Sequence, residues 1–132
     1  MSNCLPEIHQ ETKCLKVKHN FAEMIVNGEK IWEIRLRRTK IRGRIAIGDT
    51  NTKKVIGYVT IFNCIKFSNV QGLEVFEKHH KASKFINDYV KGKTEVFAYC
   101  LENPEREPNP YAYTYSTGSW CKAIPPRGDE WK

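Results

Sequence analysis

Lys30, Glu33 and Arg35 stand close together in the stretch NGEKIWEIRLRR, residues 27–38. An ammonium, a carboxylate and a guanidinium at this spacing suit a site for an anion or a nucleobase. The lysine offers a point charge to a phosphate or a carbonyl, and the arginine offers a planar, two-pronged donor. The glutamate can accept hydrogen bonds from an exocyclic amine, as cytosine N4 or adenine N6 would present. The same residues also suggest catalysis by Lys30 and Glu33. A lysine whose pKa is lowered by burial is a base, and a carboxylate beside it can direct a water. The plainer reading is an exposed lattice of ion pairs along one strand face, each worth only about 0–1 kcal/mol.

The next residues are more basic still. Arg37, Arg38, Lys40, Arg42 and Arg44 form the densest run of cations in the chain. In a loop, such a run grips a phosphate backbone without reading sequence, or it simply keeps the loop solvated. Trp32 alternates with Ile34 and Leu36 and reads as core. Tyr111, Tyr113 and Tyr115 alternate on one strand face, either as a platform for single-stranded bases or as packed aromatics. His79 and His80 are adjacent on a helical segment and cannot both face one metal, and no Cys or Asp stands at ligand spacing beside them. No metal and no cofactor is expected.

Twenty-two Lys and Arg against 15 Asp and Glu leave a net charge of +7. That balance favours an anionic partner, nucleic acid ahead of an acidic protein or a membrane surface. No apolar run approaches the roughly 20 residues of a membrane span. The N-terminal stretch lacks the apolar core of a secretory signal, so the expected compartment is the cytoplasm, or the nucleus in a eukaryotic cell. The cysteines, Cys4, Cys14, Cys64, Cys100 and Cys121, are odd in number and form no C-x-x-C pair. They are expected to be reduced thiols packed as small apolar residues.

The elements that must position these groups follow from pattern. Residues 1–13 are polar and aperiodic and read as a flexible arm, with one domain over 14–132. CLKVKH alternates as a short strand with a basic face at Lys16 and Lys18. NFAEMIVNG predicts a two-turn helix, with Asn20 as N-cap, Glu23 completing a capping box, Gly28 as the stop, and Phe21, Met24 and Ile25 on one face. A strand follows, with Glu33, Arg35 and Arg37 on the face opposite Trp32; Lys30 falls on the tryptophan side or in a bend. RIAIGD and KKVIGYVTIFNCIKF are two further strands, Gly57 marking a bulge or bend. Residues 72–92 read as helical, with Phe85, Ile86, Tyr89 and Val90 on one face. TEVFAYCLEN is a strand ended by NPEREPNP, and a final hairpin or two short strands close the chain. The order is β-α-β-β-β-α-β-β. It implies an α+β fold, a small mixed barrel of five to six strands with short flanking helices.

A strand, a helix containing an aromatic-Ala step, NGEKIWEIR, a Gly-led strand and V-I-G-Y-V together resemble the ASCH (activating signal cointegrator homology) family of the PUA-like superfamily. The most specific part is G-x-K-x-x-E-x-R, here Gly28, Lys30, Glu33 and Arg35. The resemblance extends over about residues 15–126. It implies a pseudobarrel with a cleft between the first helix and the following strand, where members are proposed to bind RNA or nucleotides. One bacterial branch resembles amidohydrolases acting on N4-acetylcytidine, with the lysine and threonine of K-x-x-T and a later glutamate as catalytic groups. Here the lysine matches Lys30, the threonine position holds Glu33, and the later glutamate is Glu74 or Glu77. The family's Gln-Pro-aromatic-Ala turn is replaced by His19-Asn20-Phe21-Ala22, which puts an imidazole where an amide is usual.

The expected function is therefore binding of RNA or a nucleotide in a cleft lined by Lys18, His19, Lys30, Glu33 and Arg35. Arg37, Arg38, Lys40 and Arg42 would add sequence-independent affinity. The alternative is a hydrolase acting on a modified nucleoside or on RNA, with Lys30 and Glu33 as the working pair. A protein-interaction module built on the tyrosines is a third class.

Overall fold

A computed structural model describes residues 11–68, 76–82 and 95–126. Its elements are β1 (Thr12–Val17), α1 (His19–Val26), β2 (Trp32–Arg35), β3 (Gly43–Asp49), β4 (Lys54–Phe67), α2 (Glu77–His80), β5 (Val96–Ala112) and β6 (Trp120–Ala123). This is the expected order. The six strands form one curled sheet in the sequence β2-β5-β4-β3-β1-β6. Strands β1 and β3 run parallel and the other pairs antiparallel, so the sheet is mixed and the fold is α+β.

Strand β1 begins at Thr12, inside the stretch read as an arm, because Thr12 and Lys13 pair with Ala123 and Lys122 of β6. Helix α1 starts at His19 rather than after an Asn20 cap. Lys18 occupies the N-cap position without a side-chain hydrogen bond, and its carbonyl accepts from Ala22 N at 2.8 Å. The helix buries Ala22, Ile25 and Val26 against the sheet, while Phe21 and Met24 are half-buried. That stripe lies one residue further round than the predicted face. Leu15, Val17, Ile45, Ile47, Val59, Ile61, Tyr99 and Leu101 complete this main core. At about 25 cal/mol per Å² of apolar area removed from water, such burial is the main force holding helix to sheet.

Gly57 does lie at a break in register. Strand β4 shifts against β5 between Val55 and Gly57. A Cβ there would come within 2.5 Å of both the Glu105 carbonyl and Val26 Cγ1, so glycine lets β4 pass directly beneath α1.

The largest departure from the sequence reading is β5. The prolines of NPEREPNP predict its end, yet it continues through Pro104, Pro108 and Pro110 to Ala112. They occupy the irregular steps of the ladder. Register shifts between the Tyr58–Glu105 and Thr60–Glu102 pairs, and residues 107–110 fall between the paired Arg106 and Tyr111. None of the three prolines is a paired position, so none removes a ladder hydrogen bond.

The predicted helix over residues 72–92 lies largely outside the described residues, apart from the short α2. Trp32 is core, as expected, with ring centroids of Phe67, Phe76 and His79 at 5.6, 4.9 and 4.9 Å. The described cysteines are free, with Cys14, Cys100 and Cys121 buried. Among the described residues no helix is long and apolar enough to cross a membrane.

Candidate functional site

The turn after α1 determines where Lys30 goes. Gly28 adopts a φ of +88°, open to glycine and costly for other residues. The chain doubles back there, and the amides of Glu29 and Lys30 both donate to the Met24 carbonyl, at 2.9 and 3.0 Å. Lys30 is thereby turned inward before β2 begins at Trp32, and only 1% of its side chain is exposed. The bend, not the regular strand, is the geometry that holds.

Its ammonium donates to the His80 backbone carbonyl, lies 3.5 Å from Glu33 Oε1 and stands 4.6 Å over the Phe21 ring. Glu33 is buried as well. Its other oxygen accepts from Arg35 Nε at 2.8 Å, and Arg35 Nη2 donates to the Lys16 carbonyl at 2.6 Å. One carboxylate therefore lies between two cations. Burial holds the Lys30 ammonium below the ordinary lysine value of 10.5, against the opposing pull of Glu33, and the nearby guanidinium of Arg35 adds to the depression.

These groups line a cavity of about 170 Å³ between α1 and β2. Lys16 and Lys18 of β1 and its exit form the basic rim, and Phe21, Ile34 and Ala82 supply apolar walls. The structure thus brings together Lys18, Lys30, Glu33 and Arg35 from the candidate set. It does not bring His19 with them. The His19 imidazole donates instead to Asp49 Oδ2 at 2.7 Å, and this bond raises its pKa above 6.5. His19, Glu23 and Asp49 group their donor atoms within 4.8 Å, but Asp49 is bonded to His19 and Glu23 to Arg106, each at 2.7 Å. Of the two candidate later glutamates, Glu74 lies outside the described residues. Glu77 is close enough to Lys30 to act on its charge.

The basic run divides. Arg42 donates to the carbonyls of Thr39 and Ile41, at 3.1 and 2.8 Å. Arg44 binds the Asn103 carbonyl and pairs with Glu105 at 2.7 Å. These two are engaged in holding the loop and β5. Arg37, Arg38 and Lys40 are exposed, with the Arg38 guanidinium 5.2 Å over the Phe97 ring. The tyrosines do not form a platform. Tyr111 is buried and its hydroxyl meets that of Tyr58 at 2.7 Å. Tyr113 packs on the same cluster, and Tyr115 lies beyond the strand, 87% exposed.

Sequence reasoning did not place Phe21, Lys16, Thr50 and Ala82 in the cavity wall. Lys16 carried a signal in the basic face of β1. Ala82 and the His80 carbonyl carried none, since they arrive from residues distant in the chain.

The crystal structure of ASCH from Zymomonas mobilis is similar to this chain, with a TM-score of 0.69 at 22% identity, covering 76% of this chain and 72% of that one. A tyrosine-to-phenylalanine mutant of the same protein has a TM-score of 0.69, at 22% identity over 76% of this chain and 74% of that one. A serine-to-alanine mutant gives 0.67, at 22% identity over 76% and 72%. At this identity the likeness is one of fold. No curated protein sequence matches the chain. The ASCH domain family model matches residues 15–117, the span that carries α1, the G-x-K-x-x-E-x-R turn and strands β2 to β5, and the chain belongs to the ASCH domain family.

Proposed function

We propose that the cavity between α1 and β2 is a recognition site for RNA or a nucleotide, taking one base or phosphate at a time. The observation that carries this reading is the Glu33 carboxylate, buried between Arg35 and a Lys30 ammonium that itself lies over the Phe21 ring. Two cationic donors and one acceptor converge on a volume well below the roughly 300–1,000 Å³ of pockets for drug-sized ligands. Apolar walls suit the faces of a base, and the charged floor suits its polar edge. The ASCH family is RNA-binding-like in general, and the net charge of +7 supports an anionic partner.

The test is binding of short single- and double-stranded RNA and DNA to the wild type and to a Lys30→Ala, Arg35→Ala variant at two salt concentrations. Salt-sensitive binding that the variant loses supports the reading. Absence of binding to all of them removes the polynucleotide reading and directs the search to free modified nucleosides.

A second reading has one observation in its favour, the burial of the Lys30 ammonium 3.5 Å from the Glu33 carboxylate, a burial that lowers its pKa. A lysine so tuned can serve as a general base in hydrolysis of a modified nucleoside or of RNA. The same tubes, assayed for strand cleavage and nucleoside hydrolysis, separate the two. Turnover lost in Lys30→Ala with affinity largely kept would mark an enzyme.

A further inference from the structure

Arg35 faces two spaces. On one side it belongs to the cavity with Lys30 and Glu33. On the other it lines an open groove of about 570 Å³ with Arg37, Arg38, Tyr99 and Trp120. The indole of Trp120 is half-buried against the main core and also forms a wall of a wider hollow of about 950 Å³ that carries Lys13 and Lys122. Neighbouring spaces therefore share two residues, Arg35 between the first and second and Trp120 between the second and third. Arg35 is a cation held in place by Glu33 and the Lys16 carbonyl, with Nη1 making no hydrogen bond among the described residues. Trp120 is a flat aromatic in a groove that three arginines line beside Tyr99.

We infer that the ligand is a single-stranded oligonucleotide, whose chain leaves the cavity over Arg35 and continues along the groove to Trp120. This rests on the reading that the cavity takes a base. A base seated between α1 and β2 must be unpaired and unstacked, which favours a single strand over a duplex. Its linking phosphate meets Arg35 together with the exposed Arg37 and Arg38, which offer planar forks to phosphate oxygens. The following base stacks on Trp120, an interaction that tolerates any sequence because every base has a π-face. A free nucleoside would leave the arginine groove without a role in binding.

The experiment is a length series of cytidylate and adenylate, from mononucleotide to hexanucleotide. It is run on the wild type, Arg37→Ala with Arg38→Ala, Trp120→Leu and Lys30→Met, each checked for folding by circular dichroism. The wild type is expected to bind the trinucleotide about tenfold or more tightly than the mononucleotide, the order expected of one stacked base. The double arginine variant should bring the trinucleotide to the mononucleotide's affinity and flatten the slope of log K against log salt by about 0.7 for each phosphate no longer neutralised. Trp120→Leu should remove most of the gain on passing from mononucleotide to dinucleotide. Equal affinity for all lengths in the wild type, or a length gain that survives the arginine variant, overturns the inference. In either case mononucleotide binding that Lys30→Met abolishes would leave the cavity reading standing. Failure of every length to bind removes both.

Discussion

The Lys30 ammonium and the Glu33 carboxylate lie 3.5 Å apart, with 1% and 6% of their side chains exposed. The two residues do not contribute equally to stability. Glu33 has a second cation, Arg35, at 2.8 Å, whereas for Lys30 the cost of burial exceeds what its partners return. Lys30→Met should therefore fold with a melting temperature at or above that of the wild type while losing ligand. Glu33→Gln leaves two cations beside one another and should cost roughly 3–5 kcal/mol, the range for breaking a buried pair from one side. Urea unfolding of both variants checks this, and a Lys30→Met protein that melts well below wild type would contradict it.

A pH dependence follows from the same lysine. Its folded-state pKa lies below 10.5, so the unfolded chain holds the proton more tightly. Relative to Lys30→Met, wild-type stability should rise with pH through the alkaline range toward 10.5. Paired thermal melts between pH 7 and 10 measure the difference.

His19 and Asp49 give the opposite sign. The hydrogen bond to Asp49 raises the imidazole pKa above 6.5. Its contribution is fully present below pH 6.5 and is lost as pH rises through the raised value. His19→Gln should thus flatten the decline of melting temperature from pH 6 to 8.5. Because His19 does not line the cavity, oligonucleotide affinity at pH 7 should be little altered.

Gly57→Ala would press a methyl group against the Glu105 carbonyl and Val26. The expected loss is about 1–3 kcal/mol in urea unfolding. Because Val26 and Phe21 belong to the same helix, the displacement should also weaken binding in the cavity, which a titration would report.

The buried thiols should be inert. Burial pushes the pKa of Cys14, Cys100 and Cys121 upward, and the thiolate is the reactive form. Among the described cysteines, half-buried Cys64 should react first with an alkylating reagent at neutral pH. Peptide mapping of the native protein checks the order.

Element order and the polar floor of the cavity were legible because they depend on local pattern: alternation in β1 to β4, and G-x-K-x-x-E-x-R at the turn. What escaped depends on distant segments meeting. The Asn20 cap lost to a helix that starts one residue earlier, at His19, whose ring is bonded to Asp49 of β3. The inward turn of Lys30 needed the Met24 carbonyl, which composition does not reveal. Proline punctuation ordinarily ends a strand, yet here a long partner, β4, absorbs it in irregular register. Of the five cations of the basic run, Arg42 and Arg44 are tied to the protein itself, a distinction no charge count makes.

The prolines of β5 have one more effect. Beyond Leu101, whose amide reaches the Ile31 carbonyl, this strand has outrun β2, which pairs with it only from Phe97 to Cys100. A long strand with one flank uncovered is ordinarily a template on which another chain can add a strand. Pro104, Pro108 and Pro110 offer no amide to such a newcomer. The residues that make β5 irregular therefore also make this flank a poor template for an added strand.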